Sequence, residues 1–152
     1  MESREIKKVV KETLNIVIPP EYLNTYKKYI ENYLRKKEGY INRNGLLNKL
    51  MKIKKIKVLK NNKQEFTGSV IFKVEYICEY YNPEIDDVIE CNIIQTDDIF
   101  IAKNDYAIII FTSKKKNQEM NDTIKVKIVS KQMIIGEENI RIYGEEVIEN
   151  NE

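Results

Sequence analysis

The chain has 152 residues, with 26 Lys and Arg against 24 Asp and Glu, a formal net charge of +2, and 42% hydrophobic and 33% charged residues. This is globular composition, sized for one ordinary domain or two small ones, and it argues against wholesale disorder. There is no histidine, which removes Ser-His and Cys-His nucleophile pairs, the usual imidazole zinc site and a histidine general base.

The small net charge conceals an uneven distribution. Residues 49 to 63 carry seven lysines and no acid, residues 84 to 98 carry six acids and no base, and the tail from Glu137 is acidic again. Separate surfaces for separate partners would give this pattern, and so would ordinary solvated faces. Among five glycines there is no phosphate-cradling Gly-rich motif. Asp86-Asp87 and Asp97-Asp98 are read as turn and surface residues, because adjacent acids on a strand point to opposite faces and make poor joint ligands for a metal. No cofactor, metal site or catalytic residue is therefore expected. The N-terminus lacks an apolar signal core, and the longest apolar run, Tyr106 to Phe111, is too short to span a bilayer. The expectation is a soluble intracellular protein with no membrane partner. Cys78 and Cys91 fall in predicted strands and read as small core residues in a reducing compartment, with a disulfide between them the weaker alternative.

In chain order, Leu14, Ile16 and Ile18 alternate with Asn15 and Val17, which predicts a strand within residues 4 to 18, stopped by Pro19-Pro20. Proline suits a first helical turn, and a helix follows over Glu21 to Lys37 with Tyr22, Leu23, Tyr26, Ile30, Tyr33 and Leu34 at helical spacing. Packing against a sheet is the favoured reading of this tyrosine stripe, a stacking platform the other. Gly39 ends the helix, and Asn44-Gly45 is a turn signal. At least the second half of Leu46 to Val58 reads as a strand, from Ile53, Ile56 and Val58. After a loop from Lys60 to Thr67, Val70, Phe72, Val74, Tyr76, Cys78 and Tyr80 share one strand face, with Lys73, Glu75 and Glu79 on the other. The first half is thus an α+β unit of strand, helix and antiparallel strands.

Beyond Pro83 only short strands are predicted: one through Ile89, Cys91 and Ile93, then 99–103, 106–111, one through Ile124, Val126 and Ile128, and one through Ile140 and Ile142. Five short strands with turns between them suit a small Greek-key barrel of the OB type. Asn82-Pro83 is read as the joint, giving an N-terminal domain over 1–82 and a barrel domain over 83–152.

Taken in order, these segments resemble a family: the stalk subunit of multisubunit DNA-directed RNA polymerases, which is subunit seven of the eukaryotic enzymes and its archaeal counterpart. Leu14-Asn-Ile-Val-Ile-Pro19 looks like the family's opening strand, followed by its tyrosine-bearing helix. Asn44-Gly45-Leu-Leu is similar to the start of its next strand, and Gly68-Ser-Val-Ile-Phe-Lys-Val-Glu-Tyr76 to its Gly then Phe-x-Val-x-Tyr block. Pro83 with Glu84 to Cys91 resembles the lead into its S1-type OB domain, and Ile140-Arg-Ile-Tyr-Gly144 its closing strand. The chain departs from the family at Asp86-Asp87, where Gly-Glu is usual, near Asp97-Asp98, where a glycine is usual, and in a shortened loop between Phe111 and Thr123. Trimmed and rich in Lys, Ile and Asn, it looks more like a large DNA virus version than a cellular one.

The resemblance implies an N-terminal tip unit followed by a five-stranded S1-type OB barrel. It implies a non-catalytic subunit whose tip docks at the clamp base against the largest, second-largest and clamp-base core subunits, with a subunit-four-like partner beside it. Docking would use the tip loops, with Glu38, Gly39, Tyr40, Asn42, Arg43, Asn44 and Gly45 in one and Lys60, Asn61, Asn62, Lys63 and Phe66 in the other. The barrel would meet nascent RNA through Lys103, Lys114, Lys115, Lys116, Lys125, Lys127 and Arg141, with Phe100 and Tyr106 for stacking. The location implied is nucleus or cytoplasm, or the virion or viral factory for a viral protein. A free-standing single-stranded nucleic-acid-binding OB protein is the alternative.

Overall fold

The computed structural model describes residues 6–59, 68–115 and 118–148. The chain runs β1 (Lys7–Ile18), a 3-10 turn (Pro20–Thr25), α1 (Tyr26–Arg35), β2 (Ile41–Asn42), β3 (Gly45–Val58), β4 (Val70–Tyr81), β5 (Val88–Gln95), β6 (Phe100–Lys103), β7 (Ala107–Thr112), β8 (Thr123–Gln132) and β9 (Ile140–Glu146). It is mostly β: a four-stranded antiparallel sheet in the order β1-β4-β3-β2 with one short helix, and a closed five-stranded mixed barrel in the order β5-β6-β7-β9-β8. The barrel is OB-like, with an antiparallel meander β5-β6-β7, a parallel β7–β9 pair, and antiparallel β8–β9 and β5–β8 pairs that close it.

Two compact units divide the described residues: 9–38, 47–59 and 68–80 in one, and 6–8, 39–46, 81–115 and 118–148, which include the barrel, in the other. In the first unit, period-two alternation puts Phe72, Val74, Tyr76, Cys78 and Tyr80 of β4 on one buried face with Ile16 and Ile18 of β1. Ile30 and Leu34 of α1, one helical turn apart, cover that face. Tyr26 stacks on Phe72 with ring centroids 5.0 Å apart. The tyrosine stripe therefore splits: Tyr26 packs on the sheet, while Tyr22 and Tyr33 are exposed.

The predicted helix is shorter than expected and starts differently. Its start, Pro20–Thr25, is 3-10 and opens with the Tyr22 N–H donating to the Pro19 carbonyl at 3.0 Å. Gly39 takes φ +89 after the last helical residues, the left-handed conformation its position predicted. β3 is a strand along its whole length, not only its second half.

In the second unit, Ile89, Cys91, Ile93, Ala102, Ala107, Ile109, Phe111, Ile124, Val126, Ile128, Ile140 and Ile142 fill the barrel, joined by Ile41, Leu46 and Tyr81. β9 passes close to β8 at Gly144, where an added Cβ would overlap the Val126 side chain and the Lys127 carbonyl. The aspartate pair at the start of the barrel corrects the reading of both as surface residues. Asp86 is an exposed turn residue at φ +76, but Asp87 is only 8% exposed. Its Oδ2 accepts the Glu84 N–H at 2.7 Å, and its carbonyl accepts the Ile128 N–H at 2.9 Å, so the carboxylate closes the turn that feeds β5. Cys78 and Cys91 are buried and free. No described helix is long and apolar enough to cross a membrane.

Candidate nucleic-acid interface

A closed barrel alternates inward and outward side chains, so the residues that fill its core also fix its outer surface. Across β6, β7, β9 and β8 the register aligns two outward rows. One is Ile101, Ile110, Tyr143 and Ser130; the other is Lys103, Ile108, Arg141 and Gln132. Ile108 is 41% exposed and Tyr143 51%, an apolar strip with Lys103 and Arg141 beside it. The Arg141 guanidinium also meets the Glu137 carboxylate at 3.1 Å. Such a face offers apolar surface to bases and cations to phosphates.

The other cations expected to contact RNA are placed differently. Lys125 and Lys127 are exposed on β8, but each faces acid: Glu90 is the register partner of Lys125, and Glu145 that of Lys127. Lys127 also lies 3.7 Å from Asp86. Lys114 and Lys115 are exposed in the loop after β7, whose bend is held by the Lys115 N–H donating to Ser113 Oγ at 3.0 Å. Lys116 lies outside the described residues. The cations thus fall into three groups, of which Lys103 and Arg141 share a row with apolar neighbours.

Neither aromatic proposed for stacking stands on the outer strip. Phe100 packs against the barrel core, its ring 5.4 Å from Phe111. Tyr106 stacks on Tyr81 at 4.4 Å, with Lys7 Nζ 5.7 Å from its ring centre. Burial pushes the Tyr81 phenol up to about 12, partly opposed by the hydrogen bond from Asn104. The aromatic on the strip is Tyr143, 51% exposed, which the expected set lacks. Its signal was available, since in Ile140-Arg-Ile-Tyr143 the two isoleucines point inward and the alternation leaves Tyr143 outside.

Of the tip-loop residues, Glu38 is in structural use: its Oε2 accepts the Leu50 N–H at 2.7 Å and lies 3.6 Å from Arg35. Residues 39 to 45 belong to the unit that includes the barrel. Within that segment Gly39, Tyr40 and Arg43 are exposed. Asn42 Oδ1 accepts the Asn44 N–H at 2.8 Å, and the Asn44 carbonyl accepts Asn82 Nδ2–H at 3.1 Å. Gly45 is buried at φ +126, where a Cβ would stand 2.8 Å from the Tyr81 carbonyl oxygen, so this turn requires glycine. Lys60, Asn61, Asn62, Lys63 and Phe66 lie outside the described residues. No protein-family model matches this chain, and no curated protein does.

Proposed function

We propose that this chain is a non-catalytic stalk subunit of a DNA-directed RNA polymerase, an N-terminal tip unit joined to an S1-type OB barrel. The observation that carries the reading is the strand order β5-β6-β7-β9-β8 with its parallel β7–β9 pair, an OB-like barrel in the half of the chain where the resemblance called for one. Pro83 to Cys91, which resembles the lead into that domain, runs into the first barrel strand. In this role the tip docks on the polymerase core near the clamp and biases clamp position by binding one position better than another. The barrel offers its β6-β7-β9 face to exiting RNA during transcription initiation. A subunit-four-like partner is part of the proposal.

The test is affinity purification of the tagged protein from its native source, with mass spectrometry and a nonspecific transcription assay on the eluate. Near-stoichiometric large polymerase subunits and transcription activity are the expected result. Recovery of RNA without polymerase subunits would instead establish the second reading, a free-standing single-stranded nucleic-acid-binding protein. The outward row Ile101, Ile110 and Tyr143 with flanking Lys103 and Arg141 favours that alternative, which requires RNA binding by the isolated protein with a steep salt dependence.

A further inference from the structure

The unit without the barrel carries a groove of about 610 Å³ along the solvent side of α1, lined by Tyr22, Thr25, Lys28, Tyr29, Asn32, Tyr33, Arg35 and Lys36. Its lining holds three tyrosines, three cations and no acid. Two of these rings stand at the surface, Tyr22 45% exposed and Tyr33 39%, while Tyr29 packs in part against the core that Ile30 and Leu34 fill. Tyr22 and Tyr29 lie with ring centroids 5.0 Å apart at 33°. Lys37 Nζ sits 4.8 Å from the centre of the Tyr33 ring.

The cations differ in how far they are already engaged. Arg35 is held by Glu31 at 3.0 Å and Glu38 at 3.6 Å. Among the described residues, Lys28 and Lys36 have no carboxylate partner. They stand about 12 Å apart along the helix axis at ~1.5 Å per residue, with Tyr29, Asn32 and Tyr33 between them. Two cations at that separation suit charges spaced along an extended polyanion better than one compact anion. The exposed Tyr33 ring between them, and Tyr22 before Lys28, offer π surface to planar groups, which every base has and an acidic peptide mostly lacks. Asn32 and Thr25 add donors and acceptors without adding negative charge.

We propose that this groove binds a single-stranded nucleic acid segment, its bases against Tyr22 and Tyr33 and its phosphates at Lys28 and Lys36. It is a second nucleic-acid site besides the barrel strip, and it does not depend on the polymerase reading.

The experiment uses the full chain and a short fluorescein-labelled oligouridylate, with anisotropy titrations over a range of salt and ultraviolet crosslinking read by mass spectrometry. The wild-type protein should crosslink at Tyr22 or Tyr33. Lys28→Ala with Lys36→Ala, both on the solvent side, should weaken binding roughly tenfold and reduce the salt slope by about 1.4, at ~0.7 for each phosphate no longer neutralised. Tyr33→Ala should weaken binding with the slope unchanged, since it removes stacking and no charge. Crosslinks confined to the barrel, or an unchanged affinity and slope in the lysine variant, would overturn the site. Equal competition by an oligoglutamate of matching length would overturn it too, by making the groove a general polyanion or acidic-peptide surface.

Discussion

Lys131 Nζ donates to Asn82 Oδ1 at 2.7 Å and to the Pro83 carbonyl at 2.8 Å, so the end of β8 holds the segment that leads into β5. Burial lowers the Lys131 pKa first, nearby Lys8 lowers it further, and Glu84 and Asp87 oppose the shift. Lys131→Met removes both hydrogen bonds and is expected to cost about 1–3 kcal/mol, read as a lower urea midpoint at unchanged m. The pH sign follows from the lowered folded-state pKa. Between that value and the ordinary lysine pKa the unfolded chain binds more protons, so stability from this group rises with pH through the window. The methionine variant should lose that rise.

Asp87 separates two kinds of loss. Asp87→Ala leaves the Glu84 N–H without its 2.7 Å acceptor and should cost about 1–3 kcal/mol. Asp87→Asn keeps an acceptor oxygen and should cost distinctly less. Thermal melts of the two variants side by side check this, and equal losses would assign the effect to charge rather than to the turn.

Gly144 has no room for a side chain against Val126 and Lys127. Gly144→Ala should destabilise by about 1–3 kcal/mol through overpacking, and Gly144→Val by more. The companion change Val126→Ala should recover part of the alanine variant's loss, measurable as a double-mutant coupling.

Alkaline pH should act on the buried thiols. Burial pushes Cys78 and Cys91 from their ordinary value of 9.0 up to about 12, with neighbouring acids (Glu12 for Cys78, Glu146 for Cys91) adding to it. A raised folded-state pKa means their contribution is complete below pH 9 and is lost as pH climbs from 9 toward about 12. Denaturant midpoints should hold steady up to pH 9 and fall above it. At neutral pH both thiols should react with a disulfide reagent only slowly, and rapidly once the chain is unfolded.

The barrel strip predicts a loss of binding without a loss of fold. Tyr143→Ala, or Lys103→Glu with Arg141→Glu, changes exposed positions and should shift the melting temperature little. Each should weaken oligouridylate binding roughly tenfold, as expected for one stacking or two phosphate contacts. Lys127→Glu should do less, because Lys127 already faces Asp86 and Glu145.

What could be read before the structure was the alternation. Ile89, Cys91 and Ile93, then Ile124, Val126 and Ile128, then Ile140 and Ile142 pointed inward as period two requires, and all are buried. β3 is harder to read, since its buried and half-buried residues Leu47, Leu50, Ile53 and Ile56 recur every third position, a spacing that matches neither the strand period of two nor the helical period of 3.6. Asp87 reads as a surface residue because burial of a carboxylate depends on a turn that presents an N–H to it, and no local pattern announces that. The site was less legible than the fold. Phe100 reads in sequence as a stacking ring, but β6 pairs Phe100 with Phe111 and turns both inward. The cross-strand rows that bring Ile101, Ile110 and Tyr143 together come from pairings remote in sequence, which composition does not encode.

The parallel pairing of β9 with β7 has a consequence for synthesis. β9 is inserted between β7 and β8, so a nascent chain that has delivered β5 through β8 still carries open edges on both β7 and β8. Until residues 140–146 leave the ribosome tunnel, those edges are available to any other unpaired strand. Barrel closure is therefore late relative to translation, and the interval before it is when a chaperone or a second nascent chain competes with β9 for the same hydrogen bonds.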